Sequence, residues 1–401
     1  MSPTPARVPS AGCRRLAATL YGYAFLDDFV LLYPVYALLF ADTGLSVWQI
    51  SSLFALWSVT GVLLEVPSGA WADAVSRRLL LCLGPLLTAA GFALWVLLPS
   101  YGAFAAGFVL WGAGGALGSG ALEALVHDEL ERLGEAGRYA RVMGRARSAG
   151  LVAVMAAMGL AGPVFARGGY PAVGAASILV CLLAAAVATR FPEHRPSGGH
   201  QGGWLPALRA GLSEARADRS VRGALLLVPA VGAVWGALDE YTPLLVRDTG
   251  VAQATVPWLL LLVWAGATAG GLLAGTAERL GDTGFAGLLA GAALALALGA
   301  GAGTPAGLAL VAVAFGGLQL ASVLADARLQ HRIESAGRAT LTSVAGLGTE
   351  VATVAVYGAY AVAGTETGHG TAFAILAVPY LLTAAVLVAA RATASAARAR
   401  P

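Results

Sequence analysis

The chain has 401 residues, 58% of them hydrophobic and 12% charged, with a net charge of +3 at neutral pH. That balance is too apolar for a water-soluble domain and marks a polytopic, all-α membrane protein. There is no lysine, so every basic side chain other than histidine is an arginine that keeps its proton, and the small positive excess implies no nucleic-acid partner.

Runs of about 20 apolar residues, the length that crosses ~30 Å of hydrocarbon, predict twelve spans. Their expected limits are 16–41, 47–72, 79–98, 101–126, 141–166, 170–190, 222–246, 254–277, 285–302, 305–326, 339–363 and 371–391. Arg7, Arg14 and Arg15 precede the first run in the manner of a secretory signal. That run is too long for a signal core, carries two carboxylates and is followed by eleven more spans, so it stays in the protein. With the N-terminus inside the cell, all arginines except Arg167 and Arg247 fall on the inner side or near inner span ends. Both termini are therefore expected in the cytoplasm and the chain in the cell membrane.

The first span holds the stretch "YGYAFLDDFVLLYPVYALLF" (21–40), in which Asp27 and Asp28 interrupt an otherwise apolar and aromatic run. On a continuous helix over 16–41, at 1.5 Å per residue, Asp28 lies ~18–20 Å from either end, near the bilayer midplane. An ionised Asp facing lipid there costs about 2.5–3.5 kcal/mol, so the pair is expected at a cavity between helices. Neighbours on a helix point ~100° apart, so one aspartate faces the cavity and the other packs against the fifth or seventh span. Such a carboxylate can take up a proton or bind a cationic group; the alternative is a structural hydrogen bond between helices. Tyr21, Tyr23, Phe25, Tyr33 and Tyr36 crowd the same span and suit either a lipophilic or cationic ligand or plain packing.

The second span carries Glu65 in its inner third, beside Pro67, where gating and structural roles are equally open. In the fifth span Arg145 and Arg147 lie one to two turns inside the inner end, and no arginine is predicted deeper. Anion porters generally need fixed positive charge at the site, so several carboxylates without a deep arginine point to cations, zwitterions or neutral lipophiles.

After the sixth span, "RFPEHRPSGGHQGGW" (190–204) reads as a flexible linker that runs into an arginine-rich, amphipathic segment ending at Arg222. The halves on either side echo each other. "FADTGLSVWQISSLFALW" (40–57) matches "VRDTGVAQATVPWLLLLVW" (246–264), "EAGRYAR" (135–141) matches "ESAGRATL" (334–341), and Asp27–Asp28 matches Asp239–Glu240 in the seventh span. Two pseudo-symmetric six-helix bundles are expected, 1–192 and 222–401, joined by a linker at 193–221, with a site between them near the midplane. Asp239 and Glu240, with Tyr241 adjacent, lie ~12–14 Å below the outer surface by helical rise and read as an outer gate or outer part of the cavity. Glu350, about eleven residues into the eleventh span, returns to midplane depth and is a second candidate for proton coupling.

The segment "LEVPSGAWADAVSRRLLL" (64–81), after the second span, resembles the loop of the major facilitator superfamily, which typically reads Gly-x-x-x-Asp followed by a glycine and paired basic residues. Gly69, Asp73, Arg77 and Arg78 stand at the matching positions, with Ser76 where the second glycine is usual and Ala74 where a basic residue is common. "GSGALEALVHDEL" (118–130) is similar to the end of the fourth span in many bacterial members, and "FPEH" (191–194) to the Pro-Glu that follows the sixth. "AGTAERLG" (274–281) is a decayed second copy that keeps Gly275 and Glu278. "FVLWGAGG" (108–115) lacks the arginine that proton-driven drug exporters carry in the fourth span, and "GLVAVMAAMGLAGPVF" (150–165) keeps Gly150, Gly159, Gly162 and Pro163 of their fifth-span motif with altered spacing.

The resemblance implies a secondary transporter working by alternating access. Asp73 and Arg77 take the role of a conformational latch, and Gly69, Arg78, Glu123, Arg145 and Arg147 are the further candidates at the same cytoplasmic gate. The expected function is proton-coupled export of a small amphiphilic or cationic compound, with an importer or facilitator of a small nutrient or metabolite as the alternative. The expected partners are that small-molecule substrate, protons and the lipid bilayer, with no cofactor, and the expected state is a monomer. No His-Glu-x-x-His, no deep histidine and no nucleophile beside a base supports an enzyme, and no nucleotide-binding loop supports ATP. The histidines (His127, His194, His200, His331, His369) fall in loops or at span ends, and Cys13, Cys82 and Cys181 are unclustered, so neither disulfides nor a metal site is expected.

Overall fold

The computed structural model describes the backbone of residues 10–194, 219–332 and 338–398, and the side chains of the same stretches except 66–74, 219–220, 338–340 and 393–398. Among the described residues there is no strand. The helices are α1 (Ala11–Asp28), α2 (Tyr36–Asp42), α3 (Val47–Ala74), α4 (Arg77–Leu97), α5 (Tyr101–Arg132) and α6 (Tyr139–Ala188). They continue with α7 (Arg219–Asp248), α8 (Val256–Leu272), α9 (Ala274–Ala277), α10 (Asp282–Gly301), α11 (Gly307–Arg332), α12 (Arg338–Thr367) and α13 (His369–Arg398). Nine described helices are long and apolar enough to cross a membrane. One of these, α6, holds the fifth and sixth spans, while the first span (α1 with α2) and the eleventh (α12) complete the expected twelve.

Two predicted boundaries differ for reasons the backbone makes plain. The first span is not one helix over 16–41: α1 stops at Asp28, residues 29–35 are non-helical, and α2 begins at Tyr36. Conversely, the fifth and sixth spans follow each other with almost no loop. The chain reverses at Gly168 (φ −151°, ψ 16°) and Gly169 (φ 58°, ψ −154°), the second a conformation open essentially to glycine alone. Of the expected linker and amphipathic segment, 195–218 lie outside the described residues, while Arg219 to Arg222, expected to end it, already belong to α7.

Short capping residues start several spans. Ser10, Ser76 and Ser100 accept the N–H groups of Cys13, Leu79 and Ala103, satisfying donors that lipid cannot. Glycines then let helices approach closely at several crossings. A Cβ on Gly114 of α5 would lie 2.6 Å from the Gly84 carbonyl oxygen and 2.9 Å from Thr88 Oγ1 of α4, so this contact closes only with hydrogen at that position. Gly270 and Gly316 make the equivalent approach between α8 and α11.

The described residues divide into two compact units, 10–33 with 60–194 and 34–59 with 219–398. Residues 34–59, the ends of the first two spans and their connection, thus belong to the second unit. In the first unit Leu16, Leu20, Leu81, Ala121, Leu130, Met143 and Phe191 form a buried core at the end where α1 and α6 begin and α5 ends. In the second, α7 and α12 run parallel: Val221 and Ala224 pack with Leu341 and Ala345, and one helical stretch later Gly232 lies against Thr349.

Candidate functional site

In the first unit, the end of α1 places both aspartates. Phe29 closes the helix with φ −82° and ψ 54°, its N–H reaching back to the Leu26 carbonyl at 3.4 Å. Beyond it the Leu32 N–H donates to Ser177 Oγ at 3.0 Å, and Ser177, fully buried in the second arm of α6, donates in turn to the Val173 carbonyl. Pro34 has no N–H and its ring excludes the carbonyl four residues back, so the helix could not run through unperturbed. Proline alone does not break these spans, however, since Pro85, Pro243 and Pro379 sit inside unbroken helices. What distinguishes 29–35 is the serine that accepts a freed N–H.

The helix expected over 16–41 is thus interrupted, and Asp28 is the last residue of α1. The pair sits at a helix C-terminus, where the helix dipole disfavours anions and favours a cation. The Asp28 carboxyl lies over Gly150 of α6, filling the place a Cβ would take. Asp27 and Asp28 both line a cavity of about 450 Å³ within the first unit, together with Tyr23, Glu65, Glu123 and Arg147. Asp27 also lines a second, smaller cavity. Four carboxylates thus face the larger cavity against one arginine, and Arg147 Nη2 is already 3.4 Å from Glu123 Oε1.

The end of the first unit near the chain start is tied by ions. Arg77 at the head of α4 pairs with Asp128 of α5, and Arg78 lies 3.5 Å from Glu193, after α6. Glu129, almost fully buried, accepts two bonds from Arg132 at 2.9 and 3.0 Å and stands 2.6 Å from His194 Nδ1. Glu135 accepts the Ser10 N–H at 2.7 Å and pairs with Arg138, fastening the start of α1 to the turn between α5 and α6. The Ser10 N–H, helped by Arg138, holds the Glu135 carboxyl below its usual range. Of the expected gate residues, Arg77, Arg78, Glu123 and Arg147 make ion pairs, and Arg145 is exposed and pairs with no described residue. Gly69 and Asp73 lie outside the residues whose side chains are described. Asp128 and Glu129 were not singled out from sequence, although "HDEL" after the fourth span was the available signal. One group in the described chain could hold a metal: the donor atoms of His127, Asp128 and Glu131 lie within 4.8 Å of one another, with Asp128 already the partner of Arg77.

The second unit treats its acid pair differently. Asp239 and Glu240 are half-buried in an unbroken α7, with Trp264 of α8 within hydrogen-bonding reach of Asp239. Tyr241 is fully buried; its hydroxyl donates to Ser51 Oγ at 2.6 Å and its ring stacks on Tyr360 with centroids 3.5 Å apart. Phe54 meets Tyr241 edge-on, and the Tyr360 hydroxyl stands 2.6 Å from His369 Nδ1. Asp42 accepts from Gln253 Nε2 at 2.6 Å and pairs with Arg247 at 3.3 Å, so residues 34–59 are held to α7 and the turn after it. Glu350 is exposed on α12, and Tyr357 interacts electrostatically with both Glu240 and Glu350.

The profile described as Major Facilitator Superfamily matches residues 17–356. The chain belongs to that superfamily. Among solved structures it is similar to the nucleoside transporter NupG (TM-score 0.71, 12% identity, covering 95% of this chain and 99% of that one). It is similar also to a bacterial homolog of the human lysosomal transporter Spinster, inward-facing and occupied (0.71, 16%, 96% and 98%), and to a D-xylose-proton symporter (0.68, 15%, 94% and 96%). No curated protein matches the chain. At these identities the structural likeness carries the fold. With the superfamily match it makes the chain a multi-pass membrane transporter of small molecules, not an enzyme.

Proposed function

We propose that this superfamily transporter exports a small amphiphilic or cationic compound in exchange for protons, by alternating access, as a monomer in the cell membrane with both termini in the cytoplasm. The observation that carries the reading is the acid pair at the broken end of α1, on a cavity where four carboxylates face one arginine. A helix C-terminus and an excess of carboxylates stabilise positive charge, and an anionic substrate would meet repulsion from both. With no lysine in the chain, a carboxyl at this position is the natural group to bind and release protons. In this scheme Asp27 and Asp28 couple substrate to proton, and Glu350 is a second proton carrier. Asp239, Glu240 and Tyr241 form an outer gate, and Gly69, Asp73, Arg77, Arg78, Glu123, Arg145 and Arg147, with Asp128, serve the cytoplasmic one.

The absence of an arginine in "FVLWGAGG" (108–115) favours the second reading, an importer or facilitator of a small nutrient or metabolite. Reconstituted proteoliposomes loaded with a pH dye separate the two. Addition of cationic, zwitterionic and neutral compounds should move protons in wild type and not in Asp27→Asn or Asp28→Asn. Labelled compound that equilibrates without proton movement, alike in wild type and variants, would establish a facilitator. Asp73→Asn should slow turnover without reducing membrane insertion, and unchanged flux would remove Asp73 from the gate.

A further inference from the structure

The smaller cavity, about 230 Å³, lies inside the first unit between α1, α4, α5 and the second arm of α6. It is below the usual 300–1,000 Å³ of drug-sized pockets, so its occupant is small. Asp27 contributes the one carboxylate, and no arginine, lysine or histidine is among the lining residues. Four hydroxyl-bearing side chains line it, Tyr23, Tyr33, Thr88 and Ser119, and three of them turn the proton to a backbone carbonyl. Tyr23 donates to Leu81 at 3.4 Å, Thr88 to Gly84 at 3.2 Å and Ser119 to Ala116 at 3.3 Å. Bonded in this way, the hydroxyl oxygens present lone pairs to an occupant.

Trp111 and Tyr33 add two aromatic rings to a remaining wall made of glycines, Pro85, Leu122 and Cys181. Trp111 stacks on Tyr33 with centroids 5.4 Å apart at 15°, and is packed from its other sides by Phe92, Trp95 and Phe108 at 5.6 to 6.0 Å. A carboxylate, a set of acceptors and two aromatic side chains together suit a cation that also carries N–H donors. We propose that this cavity binds a small primary ammonium ion, with Asp27 as its counter-ion, Thr88 and Ser119 as acceptors and Trp111 with Tyr33 as the cation-binding wall. The proposal rests on the cation reading of the transporter and narrows it to amines that donate hydrogen bonds.

Calorimetric titration of the purified full-length protein in detergent tests it, with butylammonium chloride, 1-butanol and tetramethylammonium chloride as probes. Butylammonium should bind, 1-butanol should not, and tetramethylammonium, which has no N–H, should bind about tenfold more weakly or worse. Asp27→Asn and Trp111→Leu should each weaken butylammonium by about tenfold or more, and Thr88→Val, which keeps the shape and removes an acceptor, by a few-fold. Thermal unfolding of each variant without ligand reports whether it has folded. Equal binding of butylammonium and butanol, or butylammonium binding that survives both Trp111→Leu and Thr88→Val, would overturn the pocket assignment. If none of the probes binds while proteoliposomes still move protons with another compound, the ammonium pocket fails and coupled transport stands. Butylammonium binding with the expected variant pattern, in a protein that moves no protons, supports the pocket and removes the coupling.

Discussion

The two acid pairs are alike in sequence and unlike in setting. Asp27–Asp28 ends a helix that stops, opens onto a cavity and rests one carboxyl on a glycine. Asp239–Glu240 lies within a helix that continues to Asp248 and is followed at once by Tyr241, buried under Tyr360 and bonded to Ser51. A carboxylate beside free space can exchange partners, whereas one beside a stacked, hydrogen-bonded ring is held by packing that must move first. The comparison separates a place where a ligand or proton can enter from a place where the chain is held.

The largest effect that can break this contrast is on transport. Asp27→Asn should lower substrate-coupled proton movement by about 100-fold, the low end for removing a positioned proton-transfer group, and Glu240→Gln by under about tenfold. The opposite order, in the same dye-loaded vesicles, would mean that the second unit carries the coupling.

On stability, Ser177→Ala should cost about 1–3 kcal/mol, because the buried Leu32 N–H loses its acceptor at the helix break. A thermal unfolding midpoint unchanged from wild type would show that the break holds without it. Tyr241→Phe keeps the stack on Tyr360 and loses the bond to Ser51, at about 0.5–1.5 kcal/mol by the same measurement.

The smallest effect is one that acid removes. Glu135, with its folded-state pKa lowered by the Ser10 N–H, contributes stability above its unfolded pKa, and that contribution disappears as pH falls through the lowered folded value. Glu135→Gln should therefore unfold at a lower temperature than wild type near pH 6, and the two should converge towards pH 3. A constant gap across that range would contradict the assigned cause.

The outline of the molecule was legible in the chain because apolar length and the spacing of charge report directly on the bilayer. Twelve spans, the superfamily loop at Gly69–Arg78 and the repetition of an acid pair all follow from local pattern. The same local counting ran one helix through Asp28 to the end of the span, because helical rise assumes a helix, and no residue in 29–35 announces that its N–H will find Ser177 nearly 150 positions away. The partner of Arg77 was hidden in the same way: Asp128 and Asp73 are equally good carboxylates in sequence, and the Arg77 ion pair the structure describes is with Asp128.

Residue types and periodicity thus determined that the chain crosses a membrane, how often, and which ionisable groups its spans carry. Tertiary structure decided where the first span breaks, which carboxyl rests on Gly150, and that residues 34–59 pack with the second unit. The physical reason is that a backbone N–H in lipid must find an acceptor somewhere. When the local helix cannot supply one, a hydroxyl on a distant helix does, and only the folded chain brings it there.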